Sequence, residues 1–169
     1  SLSSEIFQTN VGEECDFDIS LTNYGNEIGE NIIAELSSSS DHITIFNHLI
    51  DYGNIGPGSS KSNTFPVYIH GTAFNLENLD LKLTITDNLN NKWENSVPVT
   101  VLGPHLIITD YGGEIFPGST TNVVLNLYNQ GSRDIIDYSL DLLPYENIVS
   151  INSSSTHLAH LSVEESIYI

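Results

Sequence analysis

Glu14-Cys15-Asp16-Phe17-Asp18-Ile19-Ser20-Leu21-Thr22-Asn23-Tyr24-Gly25 decides how this chain is read. Cys15, Phe17, Ile19 and Leu21 alternate with Glu14, Asp16, Asp18 and Ser20. Such alternation belongs to a β-strand with one face in a core and one in water. Asp16 and Asp18 therefore face solvent. The same period recurs in Ile32/Ala34/Leu36, in Leu79/Leu81/Leu83/Ile85 and in Trp93/Val97/Val99/Val101. Breakers separate the runs: Asn23-Tyr24-Gly25-Asn26, Gly56-Pro57-Gly58 and Asp87-Asn88-Leu89-Asn90-Asn91. The last cluster lies between two alternating runs, so it reads as a hairpin turn. No stretch sustains a helical period.

The opening stretch has an echo. Asn23-Tyr24-Gly25 returns as Asn129-Gln130-Gly131, and Gly12 returns as Gly118, each 106 residues later. The same step carries Phe17, Ile19 and Leu21 onto Val123, Leu125 and Leu127. It carries Ile32, Ala34 and Leu36 onto Tyr138, Leu140 and Leu142, and Ile55 onto Leu161. A gap-free register this long implies two copies of one domain. Copy one continues through Leu79–Ile85 and Trp93–Val101, whereas copy two reaches Ile169 before any counterpart of those strands. At the front, Ile108 falls on Leu2, so copy one opens inside its first strand. With no methionine in the chain, a processed product or an excised fragment is expected.

About seven short strands per hundred residues fit an immunoglobulin-like sandwich. The expectation is an all-β chain of tandem immunoglobulin-like β-sandwich domains. The first spans 1–102; the second, 103–169, is truncated before its last strands. Phe17, Ile19, Leu21, Ile32, Leu36, Leu81, Leu83, Ile85, Trp93, Val97 and Val99 are the expected core of the first. In the second, Val123, Leu125, Leu127, Leu140 and Leu142 should stay partly wet.

Charge narrows the partners. Asp and Glu total 22 against 4 Lys and Arg, a formal net charge of -18. Such a surface repels nucleic-acid backbones, which are bound by clustered Lys and Arg. No apolar run approaches the roughly 20 residues of a membrane span, so neither nucleic acid nor membrane insertion is expected.

Chemistry-bearing constellations are sparse. Cys15, the only cysteine, lies on the inward phase of its strand, which makes it a structural thiol. His157-Leu158-Ala159-His160 has a spacing that suits a metal, but it falls in an expected loop and offers no third ligand. Asp87, Asn88 and Asn90 resemble a calcium loop, yet lack the Asp-x-Asp-x-Asp-Gly pattern with a distant Glu. A turn whose Asn and Asp side chains cap the backbone explains them. Trp93 is read as core, with a sugar-stacking platform as its alternative. The tyrosines Tyr24, Tyr52, Tyr68, Tyr111, Tyr128, Tyr138, Tyr145 and Tyr168 are spread along the chain. The serine runs Ser37–Ser40 and Ser153–Ser155 read as loops at matching strand ends. No catalytic residue, resident metal or cofactor is assigned, and the chain is not expected to be an enzyme.

The order of signals is a Pro-Gly or Gly-Glu turn, an alternating strand ending in Asn-x-Gly, Ile-Thr-Ile, Ile-Gly-Pro-Gly-Ser, and Leu-Thr-Ile-Thr-Asp before Lys-Trp-Glu. It resembles the immunoglobulin-like repeats, related to the CARDB class, of secreted bacterial and archaeal surface proteins. Such repeats often lie beside gingipain-like or subtilisin-like proteases. Many carry an Asp/Asn-rich loop before the Pro-Gly turn; the corresponding residues are Asp110-Tyr111-Gly112-Gly113-Glu114 and Glu5-Ile6-Phe7-Gln8. The resemblance implies a non-catalytic extracellular or cell-surface spacer or adhesion module of a larger protein. Its partners would be a protein or glycan at the cell surface, and it would be a monomer or a fragment-driven dimer. The alternative is a carbohydrate-binding or catalytic-domain-stabilising accessory module of a secreted hydrolase or protease.

Overall fold

A computed structural model describes residues 7–144 and 149–169. The expected position of Leu2 in a first strand, the loop residues Glu5 and Ile6, and Tyr145 lie outside the described residues. The chain divides into two compact units, Ser1–Leu102 and Gly103–Ile169. All regular structure among the described residues is β.

Unit 1 contains β1 (Phe7–Asn10), β2 (Glu14–Thr22), β3 (Gly29–Ser38), β4 (Ile43–Ile45), β5 (Leu49–Ile55), β6 (Ser60–Ile69), β7 (Asn78–Thr86) and β8 (Lys92–Leu102). They form two sheets, β1-β8-β7-β3-β5 and β2-β6-β4. The inward residues of each sheet meet between them. Phe17, Ile19 and Leu21 of β2 join Ala34 and Leu36 of β3, Phe65 and Val67 of β6, Leu81 and Leu83 of β7 and Val97 and Val99 of β8 in one buried cluster. Asp16 and Asp18 alternate with them and are exposed. Apolar burial of this kind, worth roughly 25 cal/mol per Å², is what holds the two sheets face to face.

Trp93 corrects the expected core. Trp93 is 49% exposed and Ile85 is only half-buried, although Leu83, Val97 and Val99 are sealed. The phase of Trp93 is that of Val97, and it stands opposite Ile85 in the β7–β8 ladder. Both sit beside the Asp87–Asn91 turn, at the end of the hairpin where the buried cluster stops. Period two assigns a side to a strand residue but does not say how far the opposing sheet reaches. The serines also differ from expectation: Ser37 and Ser38 end β3, and Ser155 opens a strand of unit 2. Phe7 and Gln8 are in β1 rather than a loop.

Unit 2 contains β9 (Leu106–Gly112), β10 (Val124–Asn129), β11 (Ile135–Asp141), β12 (Ser155–Leu161) and β13 (Ser166–Tyr168). Its sheets are β13-β10-β9 and β11-β12. Asp110–Gly112 therefore complete a strand, not a loop. Ladder registers recur at the 106-residue step. Leu21 opposes Lys61 and Thr22 opposes Ser60; Leu127 opposes Ile167 and Tyr128 opposes Ser166. Gly29 opposes Ile55 and Glu35 opposes Leu49; Ile135 opposes Leu161 and Asp141 opposes Ser155. Backbone exceptions recur as well. Asn31 (φ 49°) and Asp137 (φ 60°) are left-handed, as are Gly12 (73°) and Gly118 (76°). Asn and Asp enter that region more readily than other side-chain-bearing residues.

Burial does not recur uniformly. Leu127, Leu158 and Leu161 are buried, like Leu21, Tyr52 and Ile55. Leu127 thus departs from the expectation that it would be wet. Farther out, exposure rises from 7% at Ile32 to 44% at Tyr138, from 0% at Leu36 to 43% at Leu142, and from 2% at Phe17 to 39% at Val123. Leu125 and Leu140 are half-buried.

Candidate functional site

The best-defined polar constellation is a corner built on an asparagine. After β2 the chain turns at Asn23, whose side-chain amide donates to the carbonyls of Ile55 (2.9 Å) and Glu27 (2.8 Å). Its Oδ1 accepts the Gly25 N–H at 2.9 Å. After β10, Asn129 donates to the carbonyls of Leu161 (3.2 Å) and Arg133 (2.8 Å). Its Oδ1 accepts the Gly131 N–H at 3.0 Å and the His105 N–H at 3.3 Å. Backbone bonds around the two corners match too: Asn23 N–H to Ser59 O and Asn129 N–H to Glu165 O, both 3.0 Å. These groups stitch the end of one strand to the end of another. They are structural, and the Asn-x-Gly signal in the sequence locates them.

Asp87, Asn88 and Asn90 form the β7–β8 turn. Asp87 Oδ1 accepts the N–H groups of Leu89 and Asn91, each at 2.9 Å, and Oδ2 accepts the Asn91 side-chain amide at 2.8 Å. The Asn91 amide leads the N–H donors that hold this carboxyl below its ordinary value. Asn90 is left-handed, and its N–H donates to the Asp87 carbonyl. The Asn88 amide donates to Glu30 Oε2 at 2.7 Å. Both Asp87 oxygens are thus occupied by the turn, whereas calcium takes six to eight oxygen ligands. A shallow depression beside the turn is lined by Glu27, Ile28, Glu30 and Leu89. Among the described residues no group of three or more His, Cys, Asp or Glu is arranged to hold a metal ion.

His157 and His160 lie in β12, correcting the expected loop. Each meets a carboxylate across the β11 side: His157 Nε2 to Asp137 Oδ1 at 2.6 Å, His160 Nε2 to Asp134 Oδ2 at 3.3 Å. Asp134 also accepts the Val163 N–H, and that bond, ahead of His160, lowers its pKa. The two histidines are used in separate pairs rather than around one centre. Cys15 is half-buried against the core, and its Sγ shares a hydrogen bond with Thr9 Oγ1 at 3.1 Å. Burial pushes the thiol up, away from the thiolate a nucleophile requires.

Two aromatic groups were misjudged by periodicity or beyond its reach. Tyr52 is sealed in the core, its hydroxyl donating to the Ile19 carbonyl at 2.9 Å. Burial pushes this phenol up to about 12. Trp93, expected inside, offers an accessible indole on the β7–β8 hairpin.

A third cluster carried no sequence signal. His42 Nδ1 lies 2.9 Å from both Glu77 carboxylate oxygens, and Phe74 N–H donates to Glu77 Oε2 at 2.9 Å. The Phe74 ring stands edge-on to the His42 ring. This pins the segment between β6 and β7. His42 and Glu77 are 35 residues apart, so only the folded chain brings them together.

No family model matches the chain, and no curated protein sequence matches it. Solved structures are similar to it over most of its length. The YadV chaperone is 10% identical, with 99% of this chain and 82% of that one covered and a TM-score of 0.42. The CsuC–CsuE chaperone–tip adhesion subunit pre-assembly complex of Acinetobacter baumannii is 10% identical, over 97% and 83%, with a TM-score of 0.35. The secreted serine protease VesC from Vibrio cholerae is 14% identical over 99% of this chain and 43% of its own, with a TM-score of 0.40. No helix among the described residues is long and apolar enough to cross a membrane, which says nothing of β-barrels.

Proposed function

We propose that the two units are copies of one immunoglobulin-like module of the CARDB-like kind, and that they serve as a non-catalytic spacer in a secreted or surface-anchored protein. Support for the copies comes from the paired asparagine corners and ladder registers 106 residues apart. The observation that carries the spacer role is the pairing of β1 with β8. These strands, the first and last of unit 1 among the described residues, run parallel, from Phe7 opposite Val99 to Asn10 opposite Leu102. Val11 N–H extends the ladder to the Leu102 carbonyl at 3.1 Å. Tension applied through the ends of the unit loads these bonds together in shear instead of peeling them one by one. This arrangement suits a module that bears load between a surface and a functional head.

Single-molecule stretching of the chain tests it. Val11→Pro deletes one donor of the sheared ladder and should lower the rupture force of unit 1. Unfolding at a force that this substitution leaves unchanged would refute the load-bearing role.

A second reading, a carbohydrate-binding accessory module, is favoured by one observation: the accessible indole of Trp93. Sugars stack on such rings. Electrophoresis through gels cast with polysaccharides separates the two. A spacer migrates unretarded, whereas retardation abolished by Trp93→Ala would replace it with the glycan-binding role.

A further inference from the structure

The outer face of the β13-β10-β9 sheet differs from its counterpart in unit 1 in a way the ladder does not require. Two rows of side chains cross it. Asn126 stands opposite Asp110 on one side and Tyr168 on the other, and Tyr128 stands opposite Ile107 and Ser166. Residues directly opposed in a sheet share a face. Leu127, between Asn126 and Tyr128, is buried, so these rows point away from the core. Tyr168 is 67% exposed and Asp110 is exposed, whereas Asn126 and Tyr128 are half-buried. The two tyrosines are diagonal neighbours on this surface.

Unit 1 makes the same pairs with small hydroxyls. Ser20 opposes Ser62 where Asn126 opposes Tyr168, and Thr22 opposes Ser60 where Tyr128 opposes Ser166. Thr22 Oγ1 and Ser60 Oγ share a hydrogen bond at 2.8 Å. The pairing thus closes without aromatic rings, and only unit 2 carries them. A seat for a neighbouring repeat would be present in both copies. An independent observation points to a ligand. Asn126 Oδ1 is shut off from solvent, and no protein group among the described residues donates to it. An acceptor in that state is unfavourable until a donor reaches it.

Charge decides what the donor is. Residues 103–169 hold eight Asp and Glu against Arg133 alone, and the two rows carry Asp110 and no Lys or Arg. A second copy of this chain is equally acidic and is repelled. A cation is drawn to the face of a tyrosine ring. Arginine suits the surface better than lysine, because its planar guanidinium stacks on a ring while its fork of N–H groups reaches two acceptors at once. Asn126 Oδ1 and the Asp110 carboxylate are such acceptors, on opposed residues. Asp110 Oδ1 takes the Tyr111 N–H, which leaves Oδ2 for the guanidinium.

We propose that this face binds an arginine side chain presented by a separate, basic protein. The guanidinium lies against the Tyr168 and Tyr128 rings, pairs with Asp110, and donates to Asn126 Oδ1 as the exposed Tyr168 ring turns aside. The site goes beyond the spacer role and does not depend on it.

The probe is a capped peptide with one arginine between glycines, added to the 169-residue chain and followed by backbone amide chemical shifts. Saturable shifts are expected at Asp110, Asn126, Tyr128 and Tyr168. The same peptide with citrulline, a neutral isostere of arginine, should give none. The double variant Tyr128→Thr, Tyr168→Ser carries the unit 1 side chains at both places and should bind about tenfold more weakly. Asp110→Asn, at an exposed position, should weaken binding and flatten its salt dependence, and it serves where the double variant proves unstable. No shift at these residues, equal binding of the citrulline peptide, or undiminished binding by the variants overturns the proposal. Shifts spread alike over both units show only the pull of an acidic chain on a cation and overturn it as well. Broadening at this face that grows with protein concentration, without peptide, overturns it in favour of a second copy of this chain.

Discussion

Replacing Asn129 isolates the energetics of the corner. The side chain is fully buried and makes four hydrogen bonds, two as donor to Leu161 and Arg133 carbonyls and two as acceptor from Gly131 and His105. The amide orientation follows from those partners, since two carbonyls face Nδ2 and two N–H groups face Oδ1. Asn129→Ala strands all four, but Arg133 and His105 are exposed residues whose backbone groups can turn to water. Leu161 and Gly131 are buried. Each buried orphan costs about 1–3 kcal/mol, which places the loss near 3 kcal/mol. Asn129→Asp is almost the same shape yet should be at least as damaging. It keeps the acceptor side and turns a carboxylate oxygen toward two carbonyls. Urea denaturation of unit 2, with amide exchange at Gly131 as the local probe, measures both. If Asn129→Asp is as stable as the parent, or Asn129→Ala loses less than about 0.5 kcal/mol, the corner is not held by this side chain.

Other consequences are checkable alongside it. A Cβ on Gly131 would lie 2.4 Å from His105 N and 2.6 Å from Gly103 O, whereas on Gly25 the nearest atom is Asn23 Oδ1 at 3.1 Å. Gly131→Ala should therefore destabilise its unit far more than Gly25→Ala does, by comparison of urea midpoints. Leu83→Ala should cost about 2–5 kcal/mol because Leu83 is sealed. Trp93→Ala should cost much less in the same denaturation assay, and Trp93 fluorescence should be readily quenched by acrylamide. Burial raises the Glu77 pKa, but the Phe74 N–H and His42 outweigh it and leave it below 4.5. The stability it confers is thus present above 4.5 and lost as pH falls through its folded value. Glu77→Gln should destabilise at neutral pH, and the difference should vanish in acid; a difference that widens on acidification contradicts the pairing. Millimolar calcium should leave the melting temperature unchanged, since a ligand bound only by the native state must raise it.

What the sequence made legible, and what it hid, follows from the range of each physical signal. Alternation in Glu14–Leu21 reports one strand's two faces, and it assigned Phe17, Ile19, Asp16 and Asp18 correctly. Asn-x-Gly reports local chemistry, and both corners turn as that chemistry requires. Trp93 was misplaced because its burial depends on how far a facing sheet extends, which no residue on β8 encodes. His157 and His160 were placed in a loop because Leu158 and Leu161, both buried, are three apart. The left-handed Asp137 opposite explains the broken period: β11 and β12 pair Ile136 with His160 and then Tyr138 with Leu158, but no register pair joins Asp137 to Ala159. Asn31 is left-handed at the counterpart position, beside a shift of register between β3 and β5, where Ile32 opposes Gly53 and Ile33 opposes Asp51. The His42–Glu77 pair was invisible because nothing within a few residues of either marks the other.

The left-handed residues Asn31 and Asp137 also bear on how each unit holds its ladder. Asn and Asp enter that conformation more readily than other side-chain-bearing residues. Asp137→Val disfavours it by roughly 1–2 kcal/mol and also removes the carboxylate that His157 Nε2 meets at 2.6 Å. His157→Ala removes that pair alone and leaves the left-handed residue in place. Asp137→Val should therefore lower the urea midpoint of unit 2 clearly more than His157→Ala does. Equal losses would mean that the exposed ion pair carries the whole effect and that the left-handed residue contributes nothing to the β11–β12 ribbon.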